Sequence, residues 1–168
     1  MYHNSSCNNS CFSVIPILRS RPGAVAEVKG GDEYPSISGV VRFYRSHGGV
    51  IVYAIVGGLP KSESVCQEKI FGFHIHEGTD CGGEADNPFS DSMAHYNPNK
   101  CAHPNHAGDM PPLFGSDGSA ILLFLTNRFS VSEIIGRTVI IHDSPDDFTT
   151  QPSGNSGKKI ACGVIRKY

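Results

Sequence analysis

The sequence predicts an all-β domain, a sandwich or barrel of short antiparallel strands. Short runs of β-branched and aromatic residues recur between clusters of Gly, Pro, Asn and Asp. No segment of useful length repeats apolar residues with a helical period. Glycine (19) and proline (11) are abundant, which calls for many turns. The length, 168 residues, fits one domain with a sizeable core.

Residues 1–22 are polar, rich in Asn, Ser and Cys, and without period; they are expected to form a loose arm before a domain spanning 23–168. Strand-like sequence starts at residue 36. SISGVVRFYRS (36–46) alternates in part, with Val41 and Phe43 on one face and Val40 and Arg42 on the other. HGG (47–49) is a turn, and GVIVYAIVGGLP is a second β-branched strand, so the pair reads as a hairpin. KIFGFHIHEG (69–78) is a third strand. SAILLFLT (119–126), RTVIIHD (137–143) and KIACGVI (159–165) follow. Between the first two of these, Ser130 and Glu133 in SVSE fit a capping box for one short helical turn. Residues 78–118 have almost no period and are rich in Gly, Pro, Asn, Asp and His. So long a stretch needs something to order it inside a compact domain, and a metal does that.

Six of the eight histidines form a connected pattern. His74 and His76 are two apart on a strand, so they share one face at roughly 7 Å along the chain, with Ile75 turned to the core. That suits two ligands of one metal. His103, His106 and Asp109 lie three and three apart in HPNHAGD, where Pro104 and Gly108 argue for a tight loop. With His95 they make three imidazoles and a carboxylate, a tetrahedral zinc set. His142 ends a buried strand and projects toward the first pair. A lone histidine is ordinarily a surface or core residue; this combination is hard to reach by chance.

The net charge of −2 does not point to nucleic acid. No stretch approaches the roughly 20 apolar residues of a membrane span. FSVIPIL lacks a preceding basic region and contains Pro16, so no signal peptide is read and a cytoplasmic location is expected.

From about residue 24 onward the chain resembles the copper/zinc superoxide dismutase family. The resemblance rests on GFHIHEG (72–78), AHYNP (94–98), HPNHAGD (103–109), GSDGSA (115–120), IIGRTVIIHDSPDD (134–147) and GNSGKKIACGVI (154–165). It implies a Greek-key β-sandwich or barrel of about eight antiparallel strands, immunoglobulin-like, with long metal-binding loops. It implies disproportionation of superoxide to O2 and H2O2, with one copper and one zinc per chain as cofactors. By resemblance His74, His76, His95 and His142 are copper ligands, and His95, His103, His106 and Asp109 are zinc ligands, His95 bridging the two. Asp146 looks like the outer carboxylate that links a copper-side and a zinc-side histidine. Cys81 and Cys162 look like the family's disulfide, worth about 4 kcal/mol in the chain-entropy treatment. A Cys66–Cys101 bridge is a further guess, and Cys7 and Cys11 could pair, bind metal or do neither.

Three features depart from the family. The arginine expected beside the copper is Lys159, which keeps the charge without the planar fork of donors; as a catalytic group alongside His95, it implies slower turnover. Only 19 residues separate His142 from Cys162, so the charged steering loop looks trimmed, the rate is expected to depend weakly on salt, and SGN (153–155) is expected to line the channel. Arg166 and Lys167 stand where eukaryotic members make their dimer, which favours a monomer or a different dimer. The alternatives are a copper/zinc carrier or metal-delivery protein on the same fold, kept open by the spacing of Cys7 and Cys11, and a zinc-only, non-catalytic sandwich, which the intact His74, His76 and His142 oppose.

Overall fold

A computed structural model describes residues 14–64 and 66–168. The strands are β1 (Ala24–Gly30), β2 (Ser38–Ser46), β3 (Gly49–Gly57), β4 (Ile70–Phe71), β5 (Phe73–His76), β6 (Leu113–Phe114), β7 (Ala120–Thr126), β8 (Thr138–His142) and β9 (Lys159–Lys167). Seven of them form one curled antiparallel sheet in the order β5-β8-β9-β1-β2-β3-β7, and β4 pairs with β6 in a small second sheet. This is the all-β architecture that the sequence predicts. The β2–β3 hairpin has the expected turn, with Ser46 opposite Gly49. The short helix α2 (Val131–Ile134) carries the predicted capping box, its Ser130 N–H donating to the Glu133 carboxylate at 2.7 Å. A six-residue helix, α1 (Val14–Arg19), lies in the stretch read as a loose arm. Cys7 and Cys11 fall outside the described residues.

Alternation builds the core. Val50, Val52, Ala54 and Val56 of β3 and Val41 and Phe43 of β2 point inward with almost no exposure. Opposite them pack Phe71, Phe73, Ile75, Val139, Ile141 and Ile165. Strands β5 and β8 differ from the rest in being buried at every position. Phe73 and Ile75 face the core, while His74 and His76 lie on the outer face beneath the long loops.

β5 is the sheet's edge, and the 94–109 loop satisfies its free backbone groups. Ile75 N–H donates to Gly108 O at 2.9 Å, Tyr96 N–H to Ile75 O at 2.8 Å, and Glu77 N–H to Ala94 O at 2.9 Å. The contact at Gly108 is close enough that a Cβ would run into the Ile75 carbonyl oxygen, so glycine is required there. The β8–β9 register shifts between Ile141 and His142, a bulge that re-aims the His142 side chain at the end of its strand. The predicted disulfide is present: Cys81 and Cys162, 81 residues apart in sequence, have Cα atoms 5.7 Å apart. It ties the loop after β5 to the last strand.

Candidate metal centre

Backbone geometry brings seven predicted ligands into two adjoining pockets. His74, His76, His95 and His142 form one group; His95, His103, His106 and Asp109 form the other. Within each group the ligand atoms lie within 4.8 Å of one another, and all seven residues are buried. His95 belongs to both.

Hydrogen bonds decide which ring nitrogen faces each pocket. His74 Nε2 is 2.7 Å from Asp146 Oδ2, leaving Nδ1 for the first pocket. His76 Nδ1 donates to Met93 O at 2.8 Å, and His142 Nδ1 reaches Gly157 O at 3.3 Å. Their Nε2 atoms therefore face each other, 3.3 Å apart. His103 Nε2 is 2.8 Å from Asp146 Oδ1, leaving Nδ1 inward, 3.1 Å from Asp109 Oδ2. His95 Nδ1 is 2.8 Å from Asp109 Oδ1, and His106 Nδ1 approaches the same oxygen at 3.3 Å.

Five buried side-chain polar atoms lack a hydrogen bond among the described residues, and four are imidazole nitrogens of these pockets: His74 Nδ1, His95 Nε2, His103 Nδ1 and His106 Nδ1. Orphaned buried nitrogens are costly, and convergent ones fit a cation. An all-imidazole set suits copper, and three imidazoles with a carboxylate suit zinc, so the donor chemistry fits both ions.

At His74, His76 and His142 the electrostatics favour neutral rings with their lone pairs available. Burial pushes His74 down to about 4 and His142 down to about 3, and it holds His76 well below the ordinary histidine value. Burial works to raise Asp146, but hydrogen bonds from His74, the Phe148 N–H and His103 outweigh it and hold the carboxyl well below the usual range. Asp109 is likewise lowered: burial opposes ionisation, and the contact with His95 overcomes it.

Asp146 thus bonds one histidine of each group. Gly154 of the SGN segment packs behind it at a φ of 67°, where a Cβ would strike the Asp146 carboxylate; Asn155 is exposed. Lys159 is half-buried, which lowers its pKa, and its ammonium bonds Phe89 O, Ser92 Oγ and Met93 O. The guessed Cys66–Cys101 bridge is absent. Both thiols are free and exposed, and both backbone polar groups of Cys101 are hydrogen-bonded to the Asn97 side chain.

Sequence reasoning missed two supports. Arg128 Nη1 donates to the carbonyls of Pro104 (2.8 Å), His106 (3.3 Å) and Asp109 (3.3 Å), clamping the second pocket's loop. The Gln151 amide pairs with both backbone groups of His103, at 3.0 and 2.7 Å. A distant arginine or glutamine carries no spacing signal that would reveal such a role.

Comparison with known proteins agrees with this geometry. The sequence model of the family "Copper/zinc superoxide dismutase (SODC)" matches residues 37–165. The copper–zinc superoxide dismutase 2 of Aquifex aeolicus (strain VF5) is 32% identical over 145 residues, covering 77% of this chain and 80% of that protein. The copper–zinc superoxide dismutase of Deinococcus radiodurans is 31% identical over 153 residues, covering 80% of each. That of Legionella pneumophila is 32% identical over 140 residues, covering 79% of this chain and 80% of its own. The chain belongs to the copper/zinc superoxide dismutase family.

Proposed function

We propose that this protein disproportionates superoxide, two superoxide ions and two protons giving O2 and H2O2. The observation that carries the proposal is the pair of pockets sharing His95, with unpartnered nitrogens turned inward. His74 Nδ1 and the Nε2 atoms of His76, His95 and His142 would hold copper; the Nδ1 atoms of His95, His103 and His106, with Asp109, would hold zinc. Copper supplies the one-electron redox chemistry when bound, and zinc, which has none, fixes the loop.

The chain's own groups have separate tasks. His95 stands between the pockets, with Nδ1 committed on the Asp109 side. Its Nε2 would serve in turn as a copper ligand and, when free of the metal, as the atom that takes up a proton and gives it to the reduced product. Asp146 holds His74 and His103 in the tautomers that turn Nδ1 inward. Lys159 places a positive charge near the copper pocket, which favours an approaching anion. Arg166 and Lys167 are exposed at the end of β9, and we take the chain to be a monomer or to pair through another surface.

The test is reconstitution with copper and zinc, with both metals quantified and superoxide decay followed on the same sample. One copper and one zinc per chain with rapid turnover is the expected result. Both metals bound without turnover would refute the enzyme reading in favour of metal carriage, and zinc uptake alone would refute the copper pocket.

A further inference from the structure

A lysine ammonium has three donors, and those of Lys159 meet three acceptors: Phe89 O at 3.1 Å, Ser92 Oγ at 2.8 Å and Met93 O at 2.9 Å. No N–H is left directed at an incoming anion. The acceptors all lie on one segment, the 3-10 turn Ser90–Ser92 and its flanking residues. That segment is unusual in its backbone. Phe89, before the turn, has φ 64° and ψ 22°; Met93, after it, has φ 62° and ψ −147°. The second conformation is essentially reserved for glycine. Non-glycine residues keep such angles only where their surroundings hold them there, and Lys159 grips the carbonyls of both. The Met93 carbonyl accepts a second hydrogen bond as well, from His76 Nδ1 at 2.8 Å. That bond decides which nitrogen of His76 faces the first pocket. Lys159 lies three residues before Cys162, so β9 holds this loop at two points, the disulfide and the ammonium.

We propose that Lys159 is a positioning residue for the copper ligand His76: through the Met93 carbonyl it fixes the ring's tautomer and orientation and presents Nε2 to the metal. This rests on the copper assignment above. Its charge still contributes to the field at the pocket, but its donors are spent on the loop.

Lys159→Met removes the donors, and Lys159→Arg keeps both charge and donors. Each variant and the parent are loaded with copper and zinc; the Cu(II) electron paramagnetic resonance signal is recorded, and each metal's affinity is measured by chelator competition. In Lys159→Met the copper signal is expected to change and copper affinity to fall by roughly 10–100-fold, the usual cost of losing an outer hydrogen-bond partner. Zinc affinity stays at the parent value, and Lys159→Arg restores the copper signal. A Lys159→Met protein with the parent's copper signal and affinity overturns the proposal, even if its turnover falls, because the lysine then acts by charge alone. If Lys159→Met fails to take up zinc, its fold is lost and Ser92→Ala decides instead: a smaller copper loss with zinc unchanged supports the proposal, and unchanged copper overturns it. A parent that binds no copper sinks the assignment itself, before any variant is compared. A parent that binds copper without turnover sinks only the dismutase reading.

Discussion

Met93 holds its glycine-like conformation as a residue that is 58% exposed. Truncating that side chain therefore loses little burial, and two backbone effects decide the outcome. Glycine relieves about 1–3 kcal/mol of strain and gives back roughly 0.5–1 kcal/mol through its freer unfolded chain. Relief wins, so Met93→Gly is expected to stabilise the metal-free protein by about 1 kcal/mol, read from a urea melt; a lower midpoint would contradict the strain. Asp146 is the converse case, a residue whose loss cannot be absorbed. Its two oxygens accept from His74, His103 and the Phe148 N–H. Asparagine offers one acceptor oxygen and an amide that meets the other ring N–H donor to donor, so one imidazole must turn or change tautomer. Asp146→Asn is expected to weaken both metals by roughly 10–100-fold, measured by separate chelator titrations. A loss confined to one metal would show that Asp146 does not couple the pockets. His74, His76, His103, His106 and Asp109 were legible as candidate ligands because histidines at i and i+2 of a strand, or three apart in a Gly/Pro loop, have few other uses. His142 was placed only by its strand end, and the place of His95 in both pockets came from the family resemblance, because an isolated histidine has no spacing signal. Arg128 was not legible, because it meets its carbonyls from 19 to 24 residues away, through the fold alone.

Among the elements, the long strands announced themselves and the weak ones did not. β3 is a nine-residue run with strong β propensity, and its inward valines are apparent in the sequence. β1 alternates just as regularly, buried at Ala24, Ala26 and Val28, yet its alanines and glycine are poor strand formers, and the sequence reading passed over it. Pairing with both β2 and β9 overrides that propensity. β4 and β6 have two residues each, too few for any period to register. The loop from Cys81 to Met93 has little periodic structure to hold it and is tied to β9 by the disulfide and Lys159 and to the end of β5 by the Gly78 N–H bond to Ser92 O. Replacing both cysteines, Cys81→Ser with Cys162→Ser, releases a closure of 81 residues and is expected to cost about 4 kcal/mol. Copper affinity should fall in the same variant, because the loop carries the Met93 carbonyl that orients His76, while zinc affinity stays near the parent's. Calorimetry and chelator competition would check the two parts. Unchanged copper affinity would mean that Lys159 and the Gly78 N–H bond to Ser92 O keep the segment in place without the disulfide.

For the whole molecule, the barrel and the metal loops draw on different sources of stability. The barrel strands are hydrogen-bonded to neighbours along most of their length and enclose a continuous apolar core. The 94–112 and 143–158 segments instead surround buried imidazoles, several with a nitrogen lacking any protein partner. Metal binding to the folded state alone stabilises it by RT ln(1 + [L]/Kd), about 4 kcal/mol at a thousandfold excess over Kd. That free energy acts first on the segments that carry the ligands, since local opening there breaks the sites without unfolding the sheet. Removing both metals is therefore expected to speed amide hydrogen exchange in residues 94–109 and 143–158 by an order of magnitude or more, with β1, β2 and β3 protected to nearly the same degree as before. Exchange followed by mass spectrometry on loaded and stripped protein resolves these segments. Equal protection of the loops in both forms would mean that Arg128, Gln151 and Asp146 suffice to order them, and that the pockets are built in advance of the ions. Faster exchange throughout the barrel would mean that the metals hold the whole fold rather than the loops.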